Sequence, residues 1–245
     1  MNYDKLDALK CKLNSYRPLP QEVISNLHEQ LVLNWTYNSN AIEGNTLTLK
    51  ETKVALEGIT IGGKTIKEHF EAINHREAIL LIEDMVKKNE SLTEWNIKLI
   101  QQLILKNIDD QNAGKYRNIN VTISGADHVP PDYLHLDEEM NSFIEWYNKK
   151  GLKLHPVERA GRVHVDFVKI HPFIDGNGRT ARLLMNFELM KDGFPGTVFH
   201  ANKRLEYYEA LDIAHTKGDY APFLKLIAEI IEESFKPYWF ALGIN

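Results

Sequence analysis

Residues 171–182 read His171-Pro172-Phe173-Ile174-Asp175-Gly176-Asn177-Gly178-Arg179-Thr180-Ala181-Arg182 and pass without a break into Leu183-Leu184-Met185-Asn186. Glycine and Asx residues tolerate positive φ, so the first half predicts a tight turn, and the good helix formers that follow predict a helix starting inside it. A helix start leaves its first backbone N–H groups without intrahelical partners, and with the dipole behind them they attract an anion. Arg179 and Arg182, three apart, add fixed positive charge at the same place. Asp175 is the one carboxylate in the stretch able to hold a divalent cation there, and His171, four residues earlier, is its only neutral base. Together these residues describe a polyphosphate cradle with its own metal ligand and a base at the entrance.

The chain on either side reads as helices. His155-Pro156 opens one with proline at the tolerated first position. Val157, Ala160, His164, Phe167, Val168 and His171 then fall on one stripe, so His171 arrives from a buried face. His164 on that stripe reads as a core histidine, because with Asp166 or His155 it fits no common zinc spacing. Further upstream, Val23, Ile24, Leu27, Leu31 and Trp35 predict a helix from Gln21 to Ile42, stopped at Gly44. Ser39 and Glu43 share a face at its end. A carboxylate is unfavourable at the negative end of a helix dipole, so Glu43 is either a solvated acid near the cap or has a partner elsewhere in the chain.

Thr48-Leu49-Lys50-Glu51 and Thr65-Ile66-Lys67-Glu68 have capping-box form and start two more helices; another follows Thr93, and His75 and Arg76 on the long second helix read as solvated. Between Asp109 and Pro131 the helical period disappears. Alternation at Asn120-Val121-Thr122-Ile123, with a turn at Ser124-Gly125-Ala126-Asp127, predicts a small β-hairpin, either an ordinary surface feature or an edge for an extended partner segment. Helices then begin at Asp137, near Asn202 with Tyr207 and Tyr208 inside it, and at Asp219-Tyr220-Ala221-Pro222. The tyrosine pair by itself reads as packing, and the tail Tyr238-Trp239-Phe240 as cover for the core or a neighbouring subunit. The expected fold is all-α with one small hairpin.

Composition narrows the partners. A chain of 245 residues with 43% apolar residues suffices for one sizeable globular domain. A formal charge of −5, with Lys and Arg scattered among acids, argues against a nucleic-acid surface and for a protein partner. The single cysteine, Cys11, excludes an internal disulfide and a cysteine zinc cage and fits a reducing compartment. The start Met1-Asn2-Tyr3-Asp4 lacks a signal-peptide core and no run is long enough to span a bilayer, so no membrane role and a cytoplasmic location are expected.

The dozen residues 171–182 resemble, position for position, the signature of the Fic family of protein adenylyltransferases, His-Pro-Phe-x-Asp-Gly-Asn-Gly-Arg-x-x-Arg. Ser39 to Gly44 is similar to that family's inhibitory motif, Ser/Thr-x-x-x-Glu-Gly/Asn, in the subclass that carries it ahead of the core. The resemblance implies a helical bundle divided as 1–92 with the inhibitory helix, 93–228 as the core and 229–245 as the helix end and tail. It implies transfer of AMP from ATP to a Ser, Thr or Tyr hydroxyl of a target protein or of the chain itself, with His171 as base and Mg²⁺ held through Asp175. ATP would lie on Gly176, Asn177, Gly178, Arg179, Thr180, Ala181 and Arg182, with Asn177 touching the α-phosphate and stiffening the loop. Tyr207, Tyr208 and His215, the last standing where relatives commonly have Asn, would line the adenine pocket. Ile123, Ser124, Gly125, Ala126, Asp127 and His128 would form a flap that registers the target, and Glu43 with Ser39 would inhibit by competing with the γ-phosphate for Arg182. Removal of AMP from a modified protein at the same site, or a nucleotide-binding regulatory module without chemistry, are the rival readings. The resemblance also allows a homo-oligomer.

Overall fold

A computed structural model describes residues 1–244. Among them the regular structure is helical: α1 (Asp4–Asn14), α2 (Gln21–Ile42), α3 (Leu49–Leu56), α4 (Ile66–Lys87), α5 (Glu94–Leu105), α6 (Leu136–Lys149), α7 (Pro156–Ile170), α8 (Asn177–Lys191), α9 (Arg204–Lys217), α10 (Ala221–Ser234) and α11 (Lys236–Ala241). Both expected capping boxes form, Thr48 with Glu51 and Thr65 with Glu68. Hydrogen bonds from the Thr46 hydroxyl and the Thr65 backbone, with others from both threonines, draw the Glu68 carboxyl down to about 2. α2 ends at Ile42 because Glu43 caps it and Gly44 follows at φ 98°.

The bundle is built around α7 and α8. Leu183, Leu184, Met185, Phe187 and Leu189 are all sealed from solvent, so α8 is enclosed on every side rather than along one stripe. Val163 and Phe167 of α7 pack in the same core with Phe173 and with Ile227 of α10. Gly161 permits that approach: a Cβ there would lie 2.5 Å from Leu224 Cδ2 and 2.8 Å from Ile227 Cδ1. Burial of α8 fixes the position of its first turn.

Two expectations fail. No β-hairpin forms: residues 118–131 are an irregular loop, and no strand occurs among the described residues. Val121 and Ile123 do turn inward, alternating with exposed Thr122 and Ser124, as the pattern predicts. Two short segments without a further strand to share their face form no stable ladder, however, and side chains hold the loop instead. Asn120 Oδ1 accepts from Tyr133 N at 2.9 Å, Asn120 Nδ2 donates to Asp132 at 2.8 Å, and Gly125 at φ 80° closes the turn Ile123–Ala126. His75 is not solvated either. It is fully buried, its ring edge-on to Trp35 at 6.1 Å and its Nδ1 3.4 Å from Thr36 Oγ1, because α2 covers the side of α4 that a single apolar stripe leaves open. Arg76 beside it is half-buried, bonded to the Leu56 carbonyl and Glu77. No helix among the described residues is long and apolar enough to cross a membrane.

Candidate active site

The loop between α7 and α8 is braced from inside. Asn177 is buried, and its amide bonds both backbone groups of Phe173, accepting from N at 3.0 Å and donating to O at 2.8 Å. Its side chain is therefore consumed by the loop, and the outward contribution of this residue is its backbone N–H. Gly176 takes φ 82°, and α5 crosses so close that a Cβ would lie 3.1 Å from Ile104 Cγ2. From the same helix, buried Gln101 donates to the Asp175 carbonyl at 3.0 Å and accepts from Gly114 N at 2.5 Å. His171 caps α7 in the left-handed region, φ 51° and ψ 57°, which turns the chain sharply into this loop.

The positive end of α8 is already met by a carboxylate from far upstream. Arg182 Nη2 donates to Glu43 Oε1 at 2.7 Å and to the Ser39 carbonyl at 2.8 Å, and its Nε donates to Ser39 Oγ at 2.9 Å. Of the two readings open for Glu43, a solvated acid or a partnered one, the structure shows the partnered one. Its carboxylate lies over Gly178, where a Cβ would push Oε1 aside, so glycine leaves this backbone open to the carboxylate. Burial acts to lower the Arg182 guanidinium, yet Glu43 beside it leaves it above its ordinary value. Arg179 is equally enclosed. It lies 3.3 Å from Glu71 Oε1 and donates to Asp175 Oδ1 at 3.2 Å.

His171 is neutral here. Burial pushes its imidazole down to about 4, against the Val168 carbonyl and with the Arg117 charge adding to the effect, while Glu43 and Asp175 oppose it more weakly. Nδ1 is enclosed without a well-formed hydrogen bond.

A turn opening into an enclosed helix, two arginines, a neutral histidine and a carboxylate bonded to Arg182 over Gly178 thus share one site. The sequence profile of the Fic/DOC family matches residues 91–189, from the approach to α5 almost to the end of α8. The crystal structure of a Fic domain containing signaling protein from Bacteroides thetaiotaomicron superposes with a TM-score of 0.90 at 30% identity, over 98% of this chain and 97% of that one. The chain belongs to the Fic family. Fic-1 (aa134–508) from Caenorhabditis elegans also superposes at 0.90, with 31% identity over 98% of this chain and 72% of that one. Among curated relatives, the protein adenylyltransferase Fic of Nematostella vectensis is 39% identical over 238 residues, covering 96% of this chain and 55% of the relative. The chain spans about half the length of the curated relatives it matches.

Around the cradle of this Fic chain, α9 supplies braces. Buried Tyr207 accepts from Arg182 Nη1 at 3.3 Å and pairs through its hydroxyl with His164 Nε2 at 3.0 Å. His164 is thus a core histidine with a partner, as expected. Tyr208, half-buried, donates to the Ile42 carbonyl at 3.2 Å and so ties α9 to the end of α2. His215 Nε2 pairs with the Val165 carbonyl at 3.0 Å, and its ring lies 5.0 Å from that of His128. The loop residues expected as a flap therefore do reach α9, through His128 and through Asp127 N, which donates to Asp212 at 3.3 Å. Sequence reasoning missed Gln101, Glu71 and Arg117. Each acts on a backbone atom or a distant side chain, for which no spacing rule exists.

Proposed function

We propose that this chain transfers AMP from ATP to a hydroxyl of a protein and is held back by Glu43. The observation that carries this reading is the Glu43 carboxylate bonded to Arg182 above Gly178, an anion already seated where a helix start and two arginines offer a phosphate site. The triphosphate would rest on the backbone N–H groups of residues 176–179 and on Arg179 and Arg182. Preorganised positive charge of this kind stabilises a transferring phosphoryl group without reorganisation during reaction. The hydroxyl oxygen attacks the α-phosphorus, the bond to the β-phosphate breaks, and pyrophosphate leaves with the electron pair. His171 takes the hydroxyl proton on Nε2, since Nδ1 is enclosed.

Asp175 fits a divalent ion bound mainly through phosphate oxygens. Its Oδ1 is held by Gly176 N and Arg179, while Oδ2 makes no hydrogen bond among the described residues and the side chain is 47% exposed. No group of three His, Cys, Asp or Glu that could hold a metal occurs among the described residues, so protein ligands alone make no cage. When bound, Mg²⁺ supplies charge neutralisation across the phosphates.

Arg182 prefers a planar two-oxygen partner, and Glu43 and a γ-phosphate cannot both occupy that seat. In this reading residues 1–92 carry the inhibitory helix α2 and 93–228 the core. Incubation with [α-³²P]ATP, [γ-³²P]ATP and Mg²⁺ tests it: label from the α position only, stronger with Glu43→Gly, supports adenylyl transfer. Label from the γ position, or none with either variant, overturns it.

A further inference from the structure

Arg117 is a buried cation whose bonds all run to backbone carbonyls. Its Nε donates to His171 O at 2.9 Å, Nη1 to Ile119 O at 2.9 Å and Nη2 to Pro131 O at 2.6 Å, while its own backbone N donates to Pro172 O at 2.9 Å. One guanidinium thus joins both ends of the loop 118–131 to the residue that precedes the cradle. We propose that Arg117 is a positioning residue that locks His171 and this loop to one another, so that a target protein lying along the loop meets the base in register. The proposal rests on His171 being the base that accepts the hydroxyl proton.

Three features carry it. A non-glycine residue held in the left-handed region costs of order 1 kcal/mol and persists only where its surroundings over-determine it. At His171 they do so through Arg117, whose Nε holds the His171 carbonyl while its backbone N–H holds the next one, that of Pro172. Second, the planar fork of five N–H donors is the one side chain that serves three separated carbonyls at once; lysine, a point charge on a flexible stem, cannot. Third, among the described residues the loop's tip is held elsewhere by Asp127 N to Asp212, His128 Nε2 to the Lys169 carbonyl and the His128 ring against His215, whereas its base is set by Arg117 with the Asn120 bonds. None of the Arg117 bonds reaches residues 176–182, so nucleotide seating does not depend on it.

The test uses the Glu43→Gly chain as parent, with Arg117→Lys and Arg117→Met added. Misplacing a reacting group by about 1 Å costs roughly 10²-fold, so kcat for protein labelling falls by about that factor in both variants while KM for ATP stays unchanged. The charged and titratable groups facing His171 are Arg117 from the loop, Asp175 from the cradle, Glu43 from the end of α2 (absent in this parent) and the buried His215 imidazole of α9. Arg117→Met removes the cation and admits water, so its labelling rate drops between pH 7 and 5.5 where the parent is flat; Arg117→Lys keeps the charge and stays flat. A variant that retains the parent's kcat, or that loses rate only through KM for ATP, overturns the proposal. If Arg117→Met fails to fold by circular dichroism, Arg117→Lys decides alone. Failure of the underlying reading is separate: it is seen if Glu43→Gly still labels after His171→Ala.

Discussion

Replacing Glu43 with glycine removes one charge-assisted hydrogen bond from a nearly sealed arginine. Such a bond contributes about 1.5–3 kcal/mol when well shielded. The Arg182 side chain is 2% exposed but that of Glu43 is 33% exposed, so solvent screens the pair and about 1–2 kcal/mol is the appropriate figure. Ser39 Oγ, the Ser39 carbonyl and Tyr207 continue to hold the guanidinium, so the fold survives. At 2–4 °C per kcal/mol for a chain of this size, Tm falls by about 2–8 °C. The same free energy no longer opposes a phosphate at Arg182, so ATP binds about 5–30-fold tighter. Correct seating of the α-phosphate adds up to about 10²-fold in labelling rate. Glu43→Gln, which can still accept a hydrogen bond but carries no charge, falls between. Calorimetric titration with ATP and Mg²⁺ beside thermal melts measures both effects. A Glu43→Gly chain with unchanged Tm and unchanged ATP affinity would refute competition between carboxylate and phosphate.

Asn177→Ala leaves the buried N–H and carbonyl of Phe173 unpaired, which costs about 2–4 kcal/mol in urea unfolding and loosens the loop. Asp175→Asn weakens the Mg²⁺ dependence of ATP binding while leaving Tm nearly unchanged, because the carboxylate is half exposed. Burial holds the His75 and His164 imidazoles well below their ordinary range. The unfolded chain therefore binds more protons below about pH 6.5, so stability is full above that value and falls as pH drops, visible as a falling Tm. AMP-modified protein incubated with the wild-type chain distinguishes the reverse reaction: release of AMP that requires Glu43 identifies the carboxylate as a base for water, and no release leaves it purely a plug.

Much of the site is legible in the residues because it is local. Gly176, Asn177 and Gly178 dictate a helix start, while Glu43 at a negative helix end left two readings open, of which the bond to Arg182 selects the partnered one. Thr48 and Thr65 announce their helices for the same reason, since a cap and its partner lie three residues apart. Long-range polar contacts leave no such trace. Asn74 reaches the carbonyls of Ile104 and Lys106, Gln101 bridges Asp175 to Gly114, and Glu71 links Arg179 to Asn45, none with a fixed spacing. His75 misleads because α4 is covered on more than one side, so polar positions are buried beside apolar ones. The loop 118–131 misleads because alternation reports which face is buried and not whether a ladder exists to hold it.

The most direct test is made on the Glu43→Gly chain with and without His171→Ala, measuring ATP affinity and transfer of α-label to protein in the same preparation. Equal ATP affinity is expected, with a loss of labelling of about 10²–10⁴-fold, the worth of a well-placed general base. Labelling that continues at the parent rate would show that His171 is not the base, and the chemistry assigned to this cradle would be wrong.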